Sequence, residues 1–249
     1  MAGHSKWANI KHRKGAQDKK RGKLFTRCIK DIYVAVKEGG DDSSSNPRLK
    51  LAIQNAKGVN MPKDTIERAI KKASSKDSES YIETAYEGYG PGGVAFFIEC
   101  ATDNINRTVA NIRAVFNKYH GELGKNGSLE FLFKRIGVFE LDKNIEALSV
   151  EELEMELIDS GLEEFEIMEE SYFLSTNFEN FGIMQKKLET LQITPKNARL
   201  DRVPLETKKM KREEAHSILN MIEKFEDDDD VQEVFHSLEI IQNWVLWMF

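Results

Sequence analysis

The sequence predicts an α+β protein: an N-terminal three-helix bundle with a basic arm, followed by two ferredoxin-like α/β domains with antiparallel sheets, one inserted in the other. Three observations predict it. Apolar residues recur at helical spacing from Leu24 to Ala73, and alternation at period two takes over near Tyr81. From Ile136 to Pro204 the signals run strand, helix, strand, strand, helix, strand, which is the split-βαβ order. A late helix and strand, after residue 204, have no sheet of their own and complete the layer begun at Tyr81.

Residues 1–23 show no hydrophobic period, and Gly3, Gly15 and Gly22 interrupt any helix, so this stretch reads as a flexible basic arm. Phe25, Cys28, Ile29, Ile32 and Val36 mark a first helix that Gly39-Gly40 ends. Pro47 opens a second, with Leu49, Ala52, Ile53 and Ala56 on one face and Gly58 at its end. Pro62 opens a third, with Asp64 in the first turn and Lys71-Lys72 in the last, where the helix dipole favours each sign. The polar stretch "SSKDSES" reads as a linker.

Tyr81–Tyr89 and Val94–Cys100 read as strands around the turn "GYGPGG", with Val94, Phe96, Ile98 and Cys100 on one face. Asp103 caps a helix bearing Ile105, Val109, Ile112 and Phe116, and Leu129–Phe133 reads as a further strand. Gly137–Leu141 opens the next unit. Ser149 and Glu152 form a capping box for a helix with Val150, Leu153 and Leu157, closed by Gly161. Strands 164–168 and 172–176, a helix through Phe181, Met184, Leu188 and Leu191, and a strand 198–203 complete it. A helix with Ala215, Ile218, Leu219 and Ile222, then a strand over 231–240, follow. The expected division is 1–76, arm and helical domain; 77–135 plus 205–240, a discontinuous α/β domain; 136–204, the inserted domain; and 241–249, an apolar tail.

Charge divides along the same lines. The 249-residue chain carries a formal charge of −6, yet residues 1–76 hold 19 Lys/Arg against 7 Asp/Glu, and residues 77–249 hold 17 against 35. Such asymmetry implies that the basic part meets a polyanion. No run approaches the ~18 apolar residues that span a bilayer, so no membrane partner is expected. The N-terminus lacks the apolar segment of a secretory signal. Cys28 and Cys100 lie far apart and read as two reduced thiols of a cytoplasmic protein.

The candidate site is the basic arm. Lys6, Lys11, Arg13, Lys14, Lys19, Lys20, Arg21, Lys23 and Arg27 stand against one acid, Asp18, with Trp7 and His12 among them. Cations neutralise phosphates and release counterions, and an aromatic ring stacks on an unpaired base for roughly 1–3 kcal/mol. Irregularly spaced cations suit a backbone better than particular base edges. Arg48, Lys50, Lys57, Lys63, Arg68, Lys71 and Lys72 extend the footprint or serve as solvated helix charges. "GYGPGGV" lacks the GKS/GKT ending of a phosphate loop and opens no helix, so it reads as a turn, as does "GELGKNGS". The five histidines have no metal-ligand spacing with the cysteines, and no nucleophile–base pair stands out. No catalytic residue, metal, cofactor or small-molecule substrate is therefore expected. "EDDDD" (226–230) reads as a solvated loop rather than a divalent-cation site. The tail "NWVLWMF" either docks on the body or makes a dimer contact, giving a monomer or weak dimer.

Four stretches, "MAGHSKWANIKHRKGAQDKKRGKLFT", "NPRLKLAIQNAKGVNMPKDTIERAIKK", "YEGYGPGGVA" and "TDNINRTVANIRAVF", together with "DDDDVQEVFHSLEI", resemble the YebC/PmpR family, which includes the mitochondrial translational activator of cytochrome oxidase subunit one. The resemblance runs to about residue 240. It implies a helical domain and two α/β domains, and a cytoplasmic, DNA-binding transcriptional regulator. Some members resemble ribosome-associated translation factors that relieve stalling, so ribosomal RNA is the alternative partner. The family's basic motif falls here on Lys6, Trp7, Lys11, His12, Arg13, Lys14, Lys19, Lys20, Arg21 and Lys23. The apolar tail departs from the family pattern.

Overall fold

The computed structural model describes Trp7 and residues 21–75, 78–145, 148–168 and 170–240. The tail 241–249 and most of the arm lie outside these residues. Three helices come first: α1 (Arg21–Gly39), α2 (Pro47–Gly58) and α3 (Lys63–Ala73). Asn46 caps α2, its side chain accepting from the Leu49 N–H at 3.0 Å, with Pro47 in the first turn where no donor is needed. Ile32, Val36, Leu49, Ala52, Ala56, Ile66 and Ala69 close a core of their own between the three helices. Gly22 does not break the first helix: α1 begins at Arg21 and runs through it. A single glycine costs about 1 kcal/mol in a helix, less than the packing of this long amphipathic element supplies.

The first sheet has the order β3-β1-β2-β8, formed by β1 (Ile82–Gly90), β2 (Val94–Thr102), β3 (Glu122–Leu123) and β8 (Val231–His236). All its pairings are antiparallel. Helices α4 (Ile105–Lys118) and α7 (Arg212–Glu226) cover one face, burying Phe96, Ile98, Phe116, Ile218, Ile222 and Phe225. The second sheet has the order β5-β6-β4-β7, with β4 (Phe133–Asp142), β5 (Leu162–Ile167), β6 (Ser171–Asn177) and β7 (Asn197–Pro204). Helices α5 (Val150–Ile158) and α6 (Phe181–Thr190) lie on one face over Phe139, Leu141, Leu174 and Ala198. The capping box of α5 forms as read: Ser149 Oγ accepts from the Glu152 N–H, and the Glu152 carboxylate accepts from the Ser149 N–H. The fold is thus α+β, with the helical elements followed by two antiparallel sheets.

Three local expectations are corrected. Residues 129–133 are not a strand: Glu130–Leu132 form a 3₁₀ turn, and β4 starts at Phe133. The buried Glu87 carboxylate takes the N–H groups of Gly127 and Leu129, so this backbone is held by a side chain instead of a ladder. Asn104, not Asp103, caps α4, its side chain accepting from the Arg107 N–H at 3.0 Å; Asp103 pairs with the Arg107 guanidinium at 2.8 Å. The last ladder ends at His236, after which Leu238 bridges Lys208 in parallel.

Candidate nucleic-acid interface

The helical domain meets the first sheet domain through cations of α1. Because Arg21 opens α1, Lys23 and Arg27 project from a helix at regular spacing. Lys23 Nζ donates to the Asp227 carbonyl oxygen and lies 3.4 Å from Asp227 Oδ1, and Arg27 Nη2 donates to the Glu226 carbonyl at 3.4 Å. These acceptors are the last carbonyls of α7, which have no partner within their own helix and favour positive charge. One turn on, Lys30 is buried and fully satisfied: its three N–H bonds go to Ala101 O (2.8 Å), Asp229 O (2.7 Å) and Asp230 Oδ1 (2.9 Å). Asp230 is buried too, its other oxygen accepting from Arg107, Thr108 and Thr102 at 2.6 to 3.1 Å. Burial pushes the Asp230 carboxyl up, and the hydrogen bonds from Arg107, Lys30 and Thr108 outweigh it, so it sits below the usual carboxylate range.

The acidic run 226–230 is therefore not a solvated loop. It is the receptor for Lys23, Arg27 and Lys30, with Asp228 also accepting from Asn111 at 2.8 Å. Among the described residues no group of three His, Cys, Asp or Glu side chains is placed to hold a metal ion.

Beside this joint, Asp31 accepts from Gln232 Nε2 at 3.1 Å. Burial raises its carboxyl to about 7, and Glu83 and Glu233 push the same way against Arg48 and Arg27. Cys28 and Cys100 are buried and free, and burial raises the Cys28 thiol to about 12, which keeps it protonated and inert.

A second joint ties α2 to the other sheet. Asn55 docks on the outer edge of β7 as a neighbouring strand would: its Nδ2 donates to Ala198 O (2.9 Å) and its Oδ1 accepts from Ala198 N (2.9 Å). Gln54 Nε2 donates to Pro195 O at 3.1 Å. Gly58 comes so close that a Cβ there would sit 1.6 Å from the Lys196 carbonyl oxygen. A cleft of about 460 Å³ opens alongside, lined by Lys50, Ile53, Gln54, Lys57, Gln185 and Gln192 among others.

Trp7 occupies the helix-free face of the second sheet. It is 6% exposed, packed with Ile136, Val138 and Phe173, its ring edge-on to Phe173 at 6.0 Å. Its indole N–H donates to Glu164 Oε2 at 2.7 Å. A ring so enclosed has no open face for a base, so in this arrangement Trp7 is a fixed point and not a stacking platform.

Of the arm residues singled out in the sequence, the structure thus brings Lys23 and Arg27 to the acidic run and Trp7 to the sheet. Lys6, Lys11, His12, Arg13, Lys14, Lys19 and Lys20, and the Arg21 side chain, lie outside the described residues. Sequence reasoning missed Lys30 and Asp230 as a pair, and Glu164 as the partner of Trp7. The one signal for the first was the like-charged run itself, which requires counter-charge if it folds against anything. Of the bundle's other cations, Arg48 pairs with Glu38 and Glu83 and Lys50 with Glu189, whereas Lys57, Arg68 and Lys71 are exposed.

The fold and these joints define a three-domain α+β protein whose helical end holds the excess positive charge and is braced on both sheets. Two family descriptions match it: "TACO1/YebC protein N-terminal domain" over residues 5–76 and "TACO1/YebC second and third domain" over residues 81–238. The chain belongs to the TACO1/YebC family. It is 48% identical over 240 residues to a "Probable transcriptional regulatory protein" of Amoebophilus asiaticus, covering 96% of this chain and 98% of that protein. It is 45% identical to "Probable transcriptional regulatory protein YrbC" of Bacillus subtilis, covering 94% and 98%. The crystal structure of a conserved hypothetical protein from Aquifex aeolicus superposes with a TM-score of 0.78 at 38% identity, covering 89% of this chain and 91% of that one.

Proposed function

We propose that the protein is a non-enzymatic, nucleic-acid-binding regulator of gene expression that grips the phosphate backbone with its N-terminal arm. The observation that carries this reading is the fixing of the arm at two points. Trp7 is seated on the second sheet and Lys23 on the end of α7, and between them the sequence places Lys11, Arg13, Lys14, Lys19, Lys20 and Arg21 against one acid, Asp18. A tether at both ends lowers the entropy lost when a charged segment binds. Trp7, Lys23 and Arg27 then hold the arm, and the six cations between them, together with Lys6 and His12, are the groups proposed to contact the polyanion.

The name shared by the relatives, probable transcriptional regulatory protein, favours DNA as that polyanion. Ribosomal RNA is the competing partner. Competition binding at ~150 mM salt separates them: binding to one duplex sequence ~10³-fold tighter than to random duplex supports the DNA regulator. Co-sedimentation with ribosomes and no duplex preference supports the other. In either case the variant with Lys11, Arg13, Lys14, Lys19, Lys20 and Arg21 changed to Gln should lose binding, with a salt dependence shallower by about 4–5 in log–log slope. Unchanged binding by that variant refutes the arm as the contact. Substitution serves better than deletion of the arm, which would also remove Trp7 and leave its seat on the second sheet uncovered. Among the described residues no helix is long and apolar enough to cross a membrane, and the oligomeric state proposed is a monomer or weak dimer.

A further inference from the structure

The cleft beside the second joint, about 460 Å³, is of the size that takes a small ligand. One wall is a single face of α2: Lys50, Ile53, Gln54 and Lys57 stand at i, i+3, i+4 and i+7. The facing wall is formed by α6 and the residues just past it, with Gln185, Glu189 and Gln192 at i, i+4 and i+7. Ile53, Ile193 and Pro195 supply an apolar lining. The joint fixes the spacing of the walls, because Gln54 and Asn55 bond the backbone at Pro195 and Ala198.

Most polar groups of the cleft are not used by the fold. Lys50 and Glu189 satisfy each other across it at 2.5 Å, and Gln54 Nε2 is taken by Pro195 O. Lys57 is exposed and has no ion pair among the described residues. The side-chain amides of Gln185 and Gln192 make no hydrogen bond to any described residue. Gln192 has a φ of 58°, which costs an ordinary residue roughly 1–2 kcal/mol and which glycine adopts freely. A strained glutamine thus lines the cleft, and residues held in such conformations cluster at ligand sites.

These groups match one ligand chemistry. A carboxamide sets a donor beside an acceptor, the pattern that pairs with N6 and N7 of adenine. An ammonium without a carboxylate partner suits a phosphate. Apolar side chains can cover the faces of a base taken out of its stack. The one carboxylate of the cleft, Glu189, is already held by Lys50 and does not repel a phosphate as a lone acid would. We propose that the cleft binds a single unpaired adenine nucleotide, its phosphate on Lys57 and its base edge on Gln185 and Gln192, over Ile53 and Ile193. The nucleotide is either free or one unit of a strand that the arm grips; the second source rests on the nucleic-acid reading above, and the first does not.

The test titrates the full chain with AMP, GMP, CMP, UMP and inorganic phosphate at ~100 mM salt, read by backbone amide chemical shifts. AMP should bind at least about tenfold more tightly than each of the others, with the shifts concentrated at 50–57 and 185–195. Lys57→Gln should weaken AMP binding about 5- to 20-fold. Gln192→Gly should abolish the preference for AMP yet leave the melting temperature close to the parent's, since glycine suits the positive φ; a lost contact is thereby told apart from a lost fold. Single strands of ~20 adenine or uracil nucleotides separate the sources. If Lys57→Gln with Gln192→Gly removes a preference for the adenine strand, the nucleotide belongs to a strand; if AMP binding is lost and strand binding is unchanged, the nucleotide is free. Equal affinity for the four nucleotides and phosphate, or AMP shifts outside these two segments, overturns the site, and the arm variant still decides the proposed function by its own loss of strand binding. If AMP binds in the cleft and the unaltered protein binds no strand, the proposed function falls and the cleft stands.

Discussion

The helical domain is held by two joints of opposite chemistry. On one side Lys30 and Asp230 form a buried ion pair, supported by Arg107, Thr102 and Thr108. On the other, the neutral amides of Asn55 and Gln54 complete a strand edge, and Gly58 lets two backbones touch. The ionic joint depends on every partner being present, since a buried charge left alone costs several kcal/mol. The amide joint depends on shape, since its bonds are ordinary ones and its closest approach is steric. One molecule thus uses charge where the acidic run must be neutralised and neutral contact where a sheet edge must be closed.

The sharpest way to break the first joint is Lys30→Ala. It strands the Asp230 carboxylate with one cation fewer, and a loss of about 3–5 kcal/mol in urea-unfolding stability is expected. Gly58→Ala attacks the second joint through shape: the new methyl collides with the Lys196 carbonyl, and about 1–3 kcal/mol should be lost, with α2 separating from the 195–198 segment in hydrogen exchange. Asn55→Ala removes both bonds to Ala198 and should cost about 1–2 kcal/mol, less than the ionic substitution, which is the contrast to verify. A ranking in which Asn55→Ala exceeds Lys30→Ala would overturn the comparison.

Asp31 adds a pH axis to the ionic side. Its folded carboxyl titrates near 7, above the unfolded value, so the folded state binds more protons between about pH 4 and 7. Its contribution therefore falls as pH rises through that window. Asp31→Asn should be more stable than the parent by about 1 kcal/mol or more at pH 8, with the advantage shrinking toward pH 4.5. The substitution also offers a donor to Gln232 Oε1, which is buried without a hydrogen-bond partner. Paired thermal melts at the two pH values read the difference directly.

Periodicity made much of the fold legible. The three helices, the Ser149–Glu152 box and the βαββαβ order were visible because their signals are local: a cap, a proline, an alternation. The 129–133 segment misled because Leu129, Leu132 and Phe133 look like strand residues, while the partner that decides their conformation, Glu87, is about 40 residues away. The site was legible as charge and not as geometry. Counting located the basic stretch, but nothing local distinguishes Lys23, which meets the end of a helix some 200 residues later, from a lysine left in solvent. Trp7 read as an aromatic among cations, and its seat consists of Ile136, Val138, Phe173 and Glu164, none of which announces a vacancy for an indole.

The pairing of β8 with β2 joins residues 231–236 to residues 96–100 across the whole of the second sheet. A ribosome therefore releases the first sheet in two instalments. Its β1, β2 and β3 emerge early and wait with one edge open, while the intervening sheet, whose strands all lie between 133 and 204, has everything it requires before the final helix appears. The seat for Trp7 likewise exists only after residue 173 has been made. Trp7 thus reaches its place long after it has been synthesised, and the acidic run that receives Lys23 and Lys30 arrives later still.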